Sequence, residues 1–300
     1  MNRLFIIGNG FDIEHGLPTS FNPHFKTIAK SMEQIDYFWD MYQSQQVDIW
    51  ADFENCLAHP DFNELEDIFN GYSPDYSSER ESDRDAIITQ VDLNGKLYDA
   101  LYVFASHAED SIDSTQVLTK YKNYFTKNDL FISMNYTHTL ERLYEINNNQ
   151  ILHIHGEVGK NNLILGYPDG CFEPEKYYYD VRQKGVGPYV EVDIRNHIED
   201  MLKDERLDYY TYTAYNQLID KTESFCKTPQ INELTNFLLG KDIRTIIVLG
   251  HSCGIDFPYF LLLNRKFPYS KWIFKPFDTT TEKNIRKMIE DTEIKNYLIK

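Results

Sequence analysis

The sequence predicts an α/β protein with a doubly wound parallel sheet and a large, mainly helical insertion. Short apolar runs rich in β-branched residues end at Gly, Asn or His and alternate with segments of helical period. A long helical stretch separates the first run from the others. The 300 residues, of which 42% are hydrophobic, can bury one large core or two modest ones. We therefore expect residues 1–34 and 126–300 to form one domain, with residues 35–125 inserted into it.

The predicted strands are continuous apolar runs, which are typical of parallel strands buried on both faces. The first covers residues 4–7 and stops at Gly8. The same pattern predicts further strands at residues 130–134, 151–155, 163–165, 245–249 and 272–277.

Helices are predicted between these strands from apolar residues at helical spacing. Thr19 or Ser20 can cap the first helix, which runs to about Ala29. Further predicted helices cover residues 83–107, a segment around residues 140–143, residues 196–227 and residues 281–292.

The formal net charge of -17 argues against a nucleic-acid partner, because such binding draws its affinity from Lys and Arg contacts to phosphates. A small anion stays open as a ligand, since backbone N–H groups at a helix start can bind phosphates. No apolar run reaches the length of a signal-peptide core or a membrane span. We therefore expect no membrane partner.

Cysteine usage bears on compartment and on metal binding. The four cysteines, Cys56, Cys171, Cys226 and Cys253, are dispersed and show no CxxC spacing. This pattern argues against a disulfide framework and against a cysteine-based zinc site. It predicts a protein of the reducing cytoplasm.

Four polar or glycine-rich segments follow predicted strands, where the ligands of parallel sheets bind. The first contains Gly8, Asn9, Gly10, Phe11 and Asp12, with Gly16, Leu17 and Pro18 close behind; the second contains Asn135, Tyr136 and Thr137; the third contains His155 and Gly156; the fourth contains Gly250, His251, Ser252, Cys253, Gly254, Ile255 and Asp256. Their shared position at strand ends predicts a nucleotide-binding site.

Each segment also has an interpretation without a ligand. The glycine run fits neither GxGxxG nor a Walker loop, and it is equally a tight turn. Asn135 alone would be a turn residue, and a lone His155 would be a core residue. His153 and His155 alternate along a strand and should point to opposite faces, although a bend at Gly156 would make them a chelating pair. We favour opposite faces.

Taken together, the segments resemble the nucleotide-binding domain of sirtuins, which is a variant of the Rossmann fold. Sirtuins carry a Gly-Ala-Gly loop with Gly-Ile-Pro, a Gln-Asn-Ile-Asp segment, a Leu-His-Gly segment and a late Gly-Thr-Ser. In this chain the counterparts occur in the same order: Gly8, Asn9 and Gly10 with Gly16, Leu17 and Pro18; Met134, Asn135, Tyr136 and Thr137; Ile154, His155 and Gly156; and Gly250, His251 and Ser252.

More closely still, the chain resembles the AbiH family of bacterial abortive-infection proteins, from the first strand to about residue 260. The residues that carry this resemblance are Gly8 to Ile13, Gly16 to Thr19, Trp50 to Glu54, Asn135 to Glu141, Ile154 to Gly156, Leu165 and Gly166, Leu249 to Ser252, Asp256, and Pro258 to Phe260. The resemblance implies anti-phage defence, with a phage-derived trigger or a partner protein.

Together the two resemblances imply a protein that binds NAD and hydrolyses it with release of nicotinamide. Asn135 and His155 would be catalytic. The residues implied to bind the nucleotide are Gly8, Asn9, Gly10, Phe11, Asp12, Pro18, Thr137, Gly156, Gly250, His251, Ser252 and Asp256. No metal is expected.

Two departures from the sirtuin pattern leave alternatives open. Thr137 stands where sirtuins have an Asp, which is compatible with a non-catalytic module that senses NAD or ADP-ribose. The zinc-binding cysteine pairs are absent, which weakens protein deacylation. Abundant His and Asp near strand ends also leave a metal-dependent phosphohydrolase or nuclease open.

Several residues keep two interpretations each. Asp12 is expected either to touch the ribose or to cap its loop. Glu54 is either part of the site or on a solvated helix face. His251 and Asp256 are either functional or caps of the helix that begins near Phe257. A homo-oligomer also stays open.

Overall fold

A computed structural model describes residues 2–32, 42, 50, 53–62, 82, 94–180 and 189–300 of the chain. Two compact units are formed. The first comprises Met1–Ile28, Tyr98–Leu165 and Thr228–Lys300, and the second comprises Ala29–Leu97 and Gly166–Lys227. The predicted boundaries at residues 34 and 126 stay predictions, since most of residues 33–93 lie outside the described part.

The strands are short. They are β1 (Asn2–Ile7), β2 (Leu130–Ser133), β3 (Ile151–His153), β4 (Tyr167–Pro168), β5 (Tyr177–Asp180), β6 (Tyr189–Val192), β7 (Cys226–Lys227), β8 (Ile243–Leu249), β9 (Lys271–Lys275) and β10 (Tyr297–Ile299).

The described α-helices are α1 (Asn9–Glu14), α2 (Lys26–Ser31), α3 (Phe53–Cys56), α4 (Asn94–Ser111), α5 (Thr119–Lys122), α6 (Thr139–Tyr144), α7 (Ile194–Lys203), α8 (Tyr209–Ser224), α9 (Ile231–Phe237), α10 (Phe257–Lys266) and α11 (Thr279–Thr292). A π-helical turn covers Phe21–Phe25, and 3-10 turns cover Ile112–Ser114, Asn148–Gln150 and Pro174–Lys176. None of these helices combines the length and the apolar character needed to cross a bilayer.

The first unit is built on a sheet of six described strands, all parallel, in the order β10-β9-β8-β1-β2-β3. The predicted α/β class with a parallel sheet is confirmed. The next strands along the chain, β2 and β3, lie on one side of β1. The later strands β8, β9 and β10 lie on its other side. In open α/β sheets, ligands bind beyond the strand ends where the order reverses in this way. The reversal here lies between β1 and β8.

Both faces of the sheet are covered, because alternate residues of a strand point in opposite directions. Leu4 and Ile6 of β1 join a cluster with Phe260 and Leu263 of α10. Phe5 and Ile7 join a second cluster that includes side chains of α1, α5 and α6. These two layers explain why β1 reads as a continuous apolar run.

The second unit contains two small sheets. β4 and β7 form a parallel pair, and β5 and β6 form an antiparallel pair. Helices α7 and α8 each begin at an aspartate, Asp193 and Asp208, whose side chain accepts hydrogen bonds from backbone N–H groups of the first turn. These small strands were not predicted.

Several predicted elements differ from the structure. The strand predicted at 163–165 is wrong, since those residues form a loop before β4. The helix predicted at 196–227 is two helices, separated at residues 204–208 where Glu205 has a left-handed backbone. β3 ends at His153, so that His155 lies in a turn. Of the helix predicted at 83–107, the first residues lie mostly outside the described part.

Candidate functional site

The register of the sheet brings four sequence-predicted residues to one level. The aligned last residues of four adjacent strands are Leu249, Ile7, Ser133 and His153. Two positions further along each segment are His251, Asn9, Asn135 and His155. The four therefore leave the same edge of the sheet, around the point where strand order reverses.

His155 and His251 follow strands that are separated by β1 and β2, yet both contact Asp256. Nε2 of His155 lies 3.1 Å from Oδ1 of Asp256, and Nε2 of His251 lies 3.2 Å from Oδ2. All three side chains are buried. We call this group the His155–Asp256–His251 triad.

Hydrogen-bond partners fix the tautomers in the triad. The Cys253 backbone N–H donates to Nδ1 of His251 at 2.9 Å, so His251 is neutral and donates from Nε2 to Asp256. His155 also donates from Nε2, because the carboxylate only accepts. Among the described residues, none makes a hydrogen bond to Nδ1 of His155. That nitrogen is left as a free acceptor.

Asp256 is the N-cap residue of α10, but its side chain makes no capping hydrogen bond. Its backbone is left-handed, with φ of 69°. The interpretation of Asp256 as a side-chain cap is therefore wrong, and its carboxylate faces the two histidines instead. Burial raises the pKa of the Cys253 thiol, which argues against Cys253 as a nucleophile.

Asp12 is the second buried carboxylate at this edge. It is fully buried, and Thr137 donates to its Oδ2 at 2.5 Å. Burial raises the pKa of Asp12 to about 6, although the hydrogen bond from Thr137 acts in the opposite direction. Asp12 does not cap the end of its own loop through its side chain; its backbone oxygen accepts from His15 and Leu17 instead.

Three buried side-chain oxygen atoms in the segments that follow β1 and β2 have no hydrogen-bond partner among the described residues. They are Oδ1 of Asp12, Oδ1 of Asn135 and Oγ1 of Thr19. Buried polar atoms are nearly always paired, and an orphaned one costs about 1–3 kcal/mol. Each of these atoms can accept a hydrogen bond from a water or a ligand.

The predicted glycines have packing roles of their own. A Cβ on Gly8 would lie 2.5 Å from Cα of His251, and a Cβ on Gly10 would lie 2.8 Å from the Gly250 carbonyl oxygen. Gly8 and Gly10 also donate their N–H groups to the carbonyl oxygens of Leu249 and Gly250. Close contact between the loops after β1 and β8 therefore accounts for these glycines without a ligand.

The remaining predicted binding residues are spread around this edge. Phe11 is buried against His15 and Tyr121 in the core. Asn9 is half-buried and donates from Nδ2 to the Thr19 carbonyl oxygen, next to half-buried Pro18. Ser252 is exposed. Gly156 is buried with φ of 84°, and any side chain there would collide with the Asn162 backbone.

The side chains of His153 and His155 point in different directions. Its Nε2 lies 2.8 Å from Oε1 of Glu141 in α6, whereas His155 faces α10. His138, Glu141 and His153 are the one group of three metal-ligating side chains found in the described residues, each offering an atom within 4.8 Å of the others. No sequence pattern predicted this group, because residues 138 and 153 come from different elements that meet only in the fold.

Glu54 belongs to the second unit and is not on a solvated helix face. Its Oε1 accepts from Nζ of Lys227 at 3.3 Å and from the Gly166 N–H at 3.4 Å. Both Glu54 and Lys227 are mostly buried. The contact joins Glu54 to Gly166, two residues of the family pattern that both belong to the second unit.

Comparison with known proteins gives a family. Residues 4–275 match the family described as bacteriophage abortive infection AbiH. No curated protein and no solved structure matches the chain. Because the match extends over most of the 300 residues, the chain belongs to the AbiH family, and this membership indicates a role in phage abortive infection.

Proposed function

We propose that this AbiH protein binds NAD at the carboxyl edge of its parallel sheet and hydrolyses the bond between nicotinamide and ribose. The observation that carries the proposal is the state of His155. Asp256 holds its Nε2–H, and its Nδ1 is a free acceptor at the carboxyl edge of the parallel sheet. A histidine held in this way is suited to be a general base near neutral pH.

The reaction needs one water and one base. The C1′–nitrogen bond of NAD breaks, and its electron pair passes to the pyridinium ring, which leaves as neutral nicotinamide. The water oxygen bonds to C1′, and its proton passes to Nδ1 of His155. Asp256 then faces the imidazolium that has formed, and His251 keeps that carboxylate in place. The products are ADP-ribose, nicotinamide and one proton.

Ribose hydroxyls match the orphaned acceptors at the site. Oδ1 of Asp12 and Oδ1 of Asn135 can each accept a hydrogen bond from a ligand hydroxyl. The departure at Thr137 does not remove a carboxylate from this place, because Thr137 donates to Asp12. An Asp at position 137 would bring a second carboxylate against Asp12, at a cost in repulsion. We therefore assign the ribose contact to Asp12.

The strand order also supports a nucleotide ligand. Taken in chain order, the six strands follow the 3-2-1-4-5-6 arrangement used by dinucleotide-binding sheets. The order of the sequence segments resembles that of sirtuins. The N–H groups of Gly8 and Gly10 do not bind the pyrophosphate, because both already donate to carbonyl oxygens at the end of β8 and in the loop after it.

Product analysis tests the proposal. Purified protein is incubated with NAD, and nicotinamide and ADP-ribose are quantified; the same products are followed in bacteria that express the protein, before and after infection by a phage that it restricts. We expect NAD loss with both products, at least after infection, since the family resemblance implies a phage-derived trigger.

Two outcomes would redirect the proposal. NAD that binds the purified protein but stays intact in infected, protected cells would favour the sensing module. Protection without NAD binding and without NAD loss would reject the nucleotide site altogether.

A further inference from the structure

A second histidine group lies where α6 begins beside β3. His138 precedes the first residue of α6, Glu141 lies in its first turn, and His153 is the last residue of β3. Each offers one ligand atom, and the three atoms lie within 4.8 Å of one another. We call this group the His138–Glu141–His153 cluster. It shares no residue with the His155–Asp256–His251 triad.

The hydrogen bonds of His153 leave one nitrogen facing a carboxylate. Its Nδ1 lies 3.2 Å from the Asn135 carbonyl oxygen, which only accepts, so Nδ1 carries the hydrogen. In a neutral ring, Nε2 then has only a lone pair, 2.8 Å from Oε1 of Glu141. This contact needs a proton on one of the two atoms, and a metal ion that replaces the proton would take both atoms as ligands.

The arrangement of His153 is also the one that metal-binding histidines use. Such a histidine donates its other ring N–H to a carbonyl or carboxylate, which fixes the tautomer and the direction of the ring. The Asn135 carbonyl oxygen has this role for His153. The ring is therefore already oriented to present Nε2 to an ion.

The carboxylate of Glu141 has an unused hydrogen-bond acceptor. Its Oε1 faces His153, while its Oε2 is buried and has no partner among the described residues. A buried carboxylate oxygen without a hydrogen bond is costly. An ion bound beside His153 would give that carboxylate a positive partner.

Further carboxylates surround His138. Oε1 of Glu109 lies 3.1 Å from its Nδ1, and Oε2 of Glu157 lies 2.9 Å from its Nε2. Arg142 pairs with Glu109, and Lys160 with Glu157. With Glu141 included, three carboxylates surround the two histidines, so the surroundings favour a positive charge on His138 or beside it.

We propose that His138, Glu141 and His153 bind one divalent ion of the first transition row, with Zn²⁺ as the expected ion. Two imidazoles and one carboxylate suit zinc and its neighbours, whereas Mg²⁺ and Ca²⁺ prefer oxygen ligands alone. Three protein ligands leave a fourth position for water or for Glu157. The proposal is independent of NAD hydrolysis, and its site lies apart from the catalytic base.

Metal binding to tag-free protein tests the site. The protein is stripped with a chelator, dialysed, and titrated with Zn²⁺ by calorimetry, while Co²⁺ serves as a spectroscopic substitute whose visible absorption reports imidazole and carboxylate ligation. We expect one ion per chain. Loss of an outer-shell partner alone typically weakens metal binding 10–100-fold, so His153→Ala and Glu141→Gln should each raise the Kd by at least about 100-fold.

His107→Ala is the matched control, because His107 is an exposed histidine on α4 and should bind as the wild type does. Thermal unfolding without metal verifies that each variant folds, and Glu141→Gln, which keeps the shape of the side chain, serves if the histidine variants do not. Absence of stoichiometric binding would overturn the site. Zinc binding that these variants leave unchanged would overturn it as well.

Discussion

Two groups of the same composition lie beside the end of β3. The His155–Asp256–His251 triad and the His138–Glu141–His153 cluster each contain two imidazoles and one carboxylate. In the triad, both histidines donate to one carboxylate, and one acceptor nitrogen is left over. In the cluster, carboxylate or carbonyl oxygens face all four ring nitrogens, and Oε2 of Glu141 has no partner among the described residues. Hydrogen bonding, more than residue type, therefore distinguishes the candidate base from the candidate metal site.

The difference has its origin in the backbone. β3 ends at His153, which still alternates with its strand neighbours and faces α6. His155 lies two residues later in a turn, where Gly156 has a left-handed backbone, and it faces α10. α6 and α10 contribute to hydrophobic clusters on opposite faces of the sheet. The two histidines therefore meet different carboxylates.

Single substitutions of His155 and His153 should have the largest and most distinct effects on the two groups. We expect His155→Ala to lower nicotinamide release about 10²–10⁴-fold, the usual contribution of a general base, and to abolish toxicity. The melting temperature should fall, because Oδ1 of Asp256 loses its partner, and bound zinc should be retained, because the cluster is intact. His153→Ala should instead lose zinc.

Product assays, metal analysis and melting curves measure these three properties, with His107→Ala as the control for an exposed histidine. Insoluble His155→Ala protein would favour a purely structural role for this buried side chain.

Asp256→Asn should have the next largest effect. An amide can donate to Nε2 of His155, which would move the ring hydrogen to Nδ1 and remove the free acceptor. Replacement of the aspartate that orients a catalytic histidine can cost up to about 10⁴-fold in rate, because the ring takes the wrong tautomer. We expect a fall of about that size in the rate of nicotinamide release, with a changed pH profile.

The readout for Asp256→Asn separates orientation from packing. A lower rate with an unchanged pH profile and a much lower melting temperature would mean that Asp256 only holds the loop after β8. A rate equal to that of the wild type would contradict the assigned tautomer of His155.

The sheet could be predicted because its strands are apolar on both faces. β1, β2, β8 and β9 each overlap a predicted run, and burial on both faces explains why β1 and β2 show no alternation. The small strands of the second unit carry no such signal, since two-residue strands have no measurable period. The single long helix expected at 196–227 was wrong because apolar spacing does not register the left-handed backbone at Glu205.

The site could be predicted only in part. Strand ends located Asn135, His155 and His251, because parallel strands in register end at one edge. The shared contact with Asp256 depends on how the loop after β8 folds back, which no local pattern encodes. His138 and Glu141 were overlooked as ligands because their partner, His153, comes from a different element. The role given to the glycines of the first loop stays a prediction, since loop packing also explains them.

The ionisation of Asp12 should lower the stability of the fold while it supports the proposed ribose contact. Its pKa is raised to about 6, so between about pH 4 and 6 the folded chain holds a proton that the unfolded chain releases. The contribution of Asp12 to stability is therefore largest below pH 4 and falls as the pH rises to 6. The loss is on the order of 3 kcal/mol at pH 7. We expect Asp12→Asn, which resembles the protonated form, to raise the melting temperature at pH 7.

Melting curves of the wild type and Asp12→Asn across this pH range measure the difference, which should vanish near pH 4. Asp99→Asn is the control, because Asp99 is exposed on α4. The same Asp12→Asn variant should bind NAD more weakly, as it loses the charged acceptor proposed for the ribose. A variant that is less stable than the wild type at pH 7 would show that the carboxylate has a favourable partner at the site.

Chelation should have the smallest effect on the reaction, and it separates the two groups directly. Nicotinamide leaves NAD as a neutral molecule from a cationic one, so the bond breaks without a Lewis acid to withdraw electrons. In the triad, hydrogen bonds already engage both nitrogens of His251 and Nε2 of His155. Exhaustive EDTA treatment should therefore leave the rate of nicotinamide release unchanged well below the melting temperature. The melting temperature itself should fall if zinc ties α6 to β3, and it should recover when zinc is restored. A rate that disappears with EDTA and returns with one metal would contradict the triad as the catalytic group, and it would favour the metal-dependent phosphohydrolase.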